Sequence, residues 1–146
     1  MSKVRIKNTS NYRISIILDN VRYRRDLNPG QETTIPEDAF EEFNFDNGCR
    51  NYVRNGFLKV ITEDEDIKEQ IVEAPADVDI DAEELVTKKS VQELSTVLKD
   101  ASPSMKERIV AAAIKHSVVD APRVTLIKAH CKVDVLQALA LQRSME

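Results

Sequence analysis

No tryptophan occurs in this chain, only 5 % of its 146 residues are aromatic, and 32 % are charged, so any core must rest on Val, Ile, Leu and Ala. Glycine is almost as scarce. Gly30, Gly48 and Gly56 are the only three, and neither GxGxxG nor GxxxxGK[ST] can be built from them; each reads as a turn residue and not as part of a phosphate cradle. Two cysteines, Cys49 and Cys131, stand far apart and outside any CxxC spacing. That excludes a disulfide framework and a thiol-rich metal knuckle, and leaves two small buried residues in a reducing compartment. No run of eighteen apolar residues is present, and the stretch after Met1 lacks the charged-then-apolar pattern of a secretory leader. The expectation is a soluble chain with no membrane partner.

The chemistry of catalysis is equally thin. His116 and His130 are the only histidines, and both fall where a helix is expected to end, a position at which a cation meets the negative end of the helix dipole. His130 and Cys131 are neighbours in sequence, but no third group is indicated to orient a base against a thiol. Asp77, Asp79 and Asp81 alternate without the Gly and terminal Glu of a calcium loop. The sequence therefore predicts no catalytic residues, no metal, no cofactor and no enzyme.

What is abundant is charge, unevenly spread. Glu63 to Glu84 holds eleven acids against one base, Lys68, while residues 1–62 carry ten basic and eight acidic side chains and residues 85–146 carry ten and six. The acidity is thus confined to one stretch between two mildly basic modules. The predicted organisation is a β-rich module at 1–62, an irregular acidic linker at 63–85 and a helical bundle at 86–146, an α+β chain. The linker has too few apolar residues to offset an ordering cost of about 1 to 2 kcal/mol per residue. Ile67, Ile71, Val72, Val78 and Ile80 are its expected anchor points on a partner.

In the first module, Val4 and Ile6, then Tyr12, Ile14, Ile16 and Leu18, then Val21, Tyr23 and Leu27 recur with period two, as on the inner face of antiparallel strands. Asp19-Asn20 and Asn28-Pro29-Gly30 read as turns, followed by strands at Glu32 to Ile35 and Phe57 to Ile61. PEDAFEEF between them has the proline and acids of a helix start and sets Phe40 and Phe43 on one side, to cover the sheet. Lys3, Arg5, Lys7, Arg13, Arg22 and Arg24 fall on the outer face. Two readings of that row stand: the solvated side of a half-buried sheet, or, because it is nearly all of one sign, a contact surface for an acidic partner. Nucleic acid is the lesser partner of the two. The parity that places the arginines outside buries Tyr12 and Tyr23, which removes a stacking platform, and a tethered polyanion competes for the same surface.

In the second module the punctuation is helical. Ser90 with Glu93 forms a capping box before VQELSTVL; Ser102-Pro103, or Ser104 with Glu107, opens a helix with Met105, Ile109, Ala112 and Ala113 on its apolar side; Asp120 precedes a third helix with Pro122 in its first turn; and Val133, Leu136, Leu139 and Ala140 mark a fourth. Four short helices so close in sequence are expected to pack as a compact bundle.

The order of these parts, a β unit beginning VRIKNTSNYRISI and turning at LNPGQETTIP, a charged spacer, and a helical end DAPRVTLIKAHCKVDVLQALALQRS, resembles the small auxiliary virion proteins of tailed bacteriophages. The resemblance lies in layout, not in a diagnostic motif. It implies a non-enzymatic structural protein of the head or head-tail connector, docked on capsid or connector proteins in many symmetric copies, assembled in the host cytoplasm and residing in the virion. The alternative is an adaptor bound to nucleic acid through the basic face.

Overall fold

The computed structural model describes residues 4–144, so Lys3 lies outside the described residues. Helix accounts for 55 % of the chain and strand for 17 %, with every strand ahead of the C-terminal helices, which makes the class α+β. The chain divides into two compact units, Met1–Val78 and Asp79–Glu146.

The first unit contains two antiparallel sheets where a single one was expected. Strand β1 (Val4–Asn8) lies between β4 (Glu32–Ile35) and β5 (Leu58–Thr62), and β2 (Ile14–Leu18) pairs only with β3 (Tyr23–Leu27). The reason is Asn8. Alternation along β1 carries its side chain inward, to full burial, where its Nδ2 donates to the carbonyls of Tyr12 and Leu27, both at 2.8 Å. Its Oδ1 accepts from the backbone N–H and hydroxyl of Ser10, at 2.9 and 2.6 Å. One amide therefore ties the entry of the β2–β3 hairpin to its exit and turns the chain away from β1. The main chain of Asn8 closes the same knot, since Gly30 N–H donates to its carbonyl at 2.8 Å. Gly30 needs its freedom there, for its φ is +81°.

Beneath the sheets lie α1 (Glu37–Phe45) and α2 (Asn47–Arg54). Helix α1 begins where Pro36 and the acids of its first turn predict, and buries Ala39, Phe40 and Phe43. Helix α2 has no counterpart in the sequence reading. Asp46 caps it by accepting from Cys49 N–H at 2.9 Å, and Cys49 and Val53 pack inward. The hairpin turn also differs in detail: a 3-10 turn spans Asp19–Val21, and Arg22 takes the left-handed conformation, φ 52°, instead of a strand position.

The acidic stretch departs most from expectation. Far from irregular throughout, it contains α3 (Glu65–Lys68), a 3-10 turn (Ala76–Asp79) and α4 (Ala82–Thr87). Two of its acids act as helix caps: Asp64 accepts from the N–H groups of Asp66 and Ile67, and Asp81 from that of Glu84. Its apolar residues fill the chain's own cores. Ile67, Ile71 and Val72 pack against the core of the first unit, Val78 is buried, and Ile80 packs against the core of the second. These five, expected as anchor points on a partner, thus have packing partners within the chain itself. The boundary between units falls inside the stretch, after Val78.

The second unit holds α4, α5 (Val91–Lys99), α6 (Pro103–Lys115), α7 (Ala121–Cys131) and α8 (Val135–Ser144), one helix more than expected. Ser90 and Ser102 cap α5 and α6 by accepting from Glu93 and Met105 N–H, each at 3.2 Å. Leu94, Leu98, Met105, Ile109, Ala113, Ile127 and Val135 form the driest part of the core. The inner face of α8 is not the predicted one. Val135 and Leu139 are buried, whereas Leu136 is 47 % exposed, because the helix starts two residues later than Val133 and α6 and α7 set its rotation.

Candidate partner-binding surface

The structure separates the basic row into three groups. Arg5 and Lys7 lie on the outward face of β1. Arg5 pairs with Glu32 across β4 at 3.2 Å, and Lys7 stands between Glu32 on one side and Lys59 on the other in the strand register. Two lysines directly opposite each other on adjacent strands disfavour pairing by a few tenths of a kcal/mol. Arg13 and Arg24 converge on Asp26, the first through a short hydrogen-bonded ion pair and the second at 3.9 Å. The Ser15 hydroxyl, at 2.6 Å, and then Arg13 hold the Asp26 carboxyl below the usual carboxylate range. The hairpin arginines are therefore partly neutralised from within. Arg22, at its left-handed turn, is exposed and engages no carboxylate among the described residues.

Two further cations belong to this surface and escaped the alternation. Arg25 sits at inward parity opposite Ile16, yet is exposed at the open edge of β3. Lys59 was legible in principle, since LKVIT places it between Leu58 and Val60 on the outward parity of β5.

The tyrosines also correct the sequence reading. Tyr12 is 46 % exposed, because it precedes β2 in the bend that Asn8 imposes and strand parity does not govern it. Its ring lies 5.9 Å from that of Phe57, which in turn meets Tyr52 edge-on at 6.2 Å. Tyr23 is half-buried, as its parity demands, with a hydroxyl that finds no hydrogen-bond partner among the described residues.

Among the described residues no cluster of three or more His, Cys, Asp and Glu side chains is placed to hold a metal. His116 caps the end of α6 and lies 3.7 Å from Glu83, whose carboxyl is lowered first by Lys115 at 2.6 Å. Burial pushes the Cys49 thiol up to about 12, and raises Cys131 as well. Both thiols should stay protonated at neutral pH, so alkylation of the native chain should run well below the rate for an unfolded control. Rapid native labelling of Cys49, followed by mass spectrometry, would contradict its packing. No described helix is long and apolar enough to cross a membrane.

Comparisons with protein-family models, curated proteins and solved structures find no match for this chain.

Proposed function

We propose that the chain is a non-enzymatic structural adaptor of a tailed-phage virion, docked on capsid or connector proteins through the outward face of the three-stranded sheet. The observation that carries the reading is the gathering of Arg5, Lys7 and Lys59 on one face of the sheet, a cation-rich patch that an acidic protein surface would complement. The two-unit construction supports an adaptor, since each unit has its own core and offers its own exterior. The layout VRIKNTSNYRISI, LNPGQETTIP and the helical end supplies the phage setting and the expectation of many copies in the virion.

A second reading has one observation in its favour. Exposed Tyr12 and Tyr52 flanking Phe57 offer aromatic surface beside a basic sheet, the combination on which single-stranded nucleic acid stacks. Fractionation of an infected culture that produces the chain separates the two. Docking predicts that the chain sediments with assembled particles and remains there after nuclease treatment; release by nuclease, with recovery on free nucleic acid, would favour the second reading.

A further inference from the structure

The first unit carries two exposed surfaces of opposite charge, each centred on an apolar side chain. On α1, Phe45 is 77 % exposed, and beside it a recess of about 550 Å³ is lined by Asp38, Glu41, Glu42 and Asp46 together with Asn20 and Val21. No lysine or arginine occurs between Glu32 and Arg50, and no salt bridge engages Glu37, Asp38, Glu41 or Glu42 among the described residues. On the outward face of the β2–β3 hairpin, Ile17 is 50 % exposed and stands opposite Arg24 in the register. Around it, the side chains of Arg13 and Arg24 are 63 % and 70 % exposed and share the single carboxylate of Asp26, which leaves the patch net positive.

We propose that these surfaces are the two halves of one contact between copies of this chain, with Phe45 and the α1 acids of one copy seated on Ile17, Arg13 and Arg24 of the next. An exposed aromatic ringed by acids and an exposed aliphatic ringed by arginines match in apolar centre and in the sign of the rim, the pattern of an anchor surrounded by charged residues that set register. Because the halves are different patches, the contact either propagates head-to-tail into a ring or a filament or closes as a two-fold dimer in which both contacts form reciprocally. The proposal goes beyond docking on a particle and uses none of Arg5, Lys7 and Lys59.

Sedimentation velocity of the purified full chain tests it without particles, so that failure here leaves docking untouched and failure of docking leaves this contact untouched. The wild-type chain should show concentration-dependent association, weakened by about tenfold or more when salt rises from about 0.05 M to about 0.5 M. Phe45→Ser should block one half, and Ile17→Ser with Arg24→Glu the other; all three positions are exposed, and circular dichroism checks that each variant is folded. Each variant alone should be monomeric. An equimolar mixture should form a 1:1 dimer and nothing larger, because only one intact half remains on each partner. A wild-type chain that stays monomeric at low salt, variants that associate as the wild type does, or a mixture of folded variants that stays monomeric would each overturn the proposal.

Discussion

Replacing Asn8 with leucine should destabilise the first unit by about 3 to 5 kcal/mol, although the side chains are nearly equal in length and the site is fully buried. The loss does not come from packing. Leucine neither donates nor accepts, so the buried carbonyl of Leu27 loses its Nδ2 donor at 2.8 Å and the buried N–H of Ser10 loses its acceptor at 2.9 Å, while the carbonyl of Tyr12 keeps only the Ser10 hydroxyl. An orphaned buried polar group costs about 1 to 3 kcal/mol, and here there are two, the Leu27 carbonyl and the Ser10 N–H. The Ser10 hydroxyl loses the same acceptor. Ser10→Ala should cost only about 1 kcal/mol, because it removes one hydroxyl and leaves the amide of Asn8 with both of its carbonyl acceptors. All three tyrosines lie in the first unit, so tyrosine fluorescence during urea unfolding reads its stability directly. Equal midpoints for the wild type and Asn8→Leu would contradict the role given to this residue.

Ile109→Ala should lower the stability of the second unit by about 2 to 5 kcal/mol, the cost of removing a buried aliphatic side chain from a core that cannot collapse around the cavity. Ile109 is completely buried in the middle of α6, which packs against α4, α7 and α8. Leu136→Ala makes the instructive contrast. A helical stripe drawn through Val133, Leu136 and Leu139 places Leu136 in the core, but the side chain is 47 % exposed, so its truncation should cost less than about 1 kcal/mol. Leu139, one turn away and buried, should behave as Ile109 does. Thermal unfolding followed by helical circular dichroism ranks the variants, and an order with Leu136 above Leu139 would reverse the assigned face of α8.

These residues also show what the sequence makes legible. Period-two alternation identified the buried apolar members of β1 and β2, and the serine caps of α5 and α6 fell where their spacing puts them, because both signals are local. Partner choice between strands is not local. Nothing in the spacing of Val4, Ile6 and Asn8 says that β1 takes β4 and β5 as neighbours, and the deciding group is one buried amide that composition counts as an ordinary polar residue. The acidic stretch misled for a related reason. Its charge count overshadowed Asp64 and Asp81 as caps, and Ile67, Ile71 and Val72 were too widely spaced to announce that they pack on the first unit's own core. At the candidate surface, parity selected Arg5 and Lys7 correctly as outward residues, missed Arg25 at an open edge, and misplaced Tyr12 because a bend had replaced the strand.

The most direct measurement of the docking claim is the affinity of the full chain for assembled particles, for the wild type and for the combined variant Arg5→Gln, Lys7→Gln and Lys59→Gln. Exposed charges contribute roughly 0.2 to 1 kcal/mol each, so the variant should bind about 1 to 3 kcal/mol more weakly at low salt. The difference should shrink as salt is raised. These side chains lie on the outward face of their strands, so the unfolding midpoint of the variant should stay close to that of the wild type. A variant that is folded and binds particles as tightly as the wild type at low salt would contradict the claim that this sheet face is the docking surface.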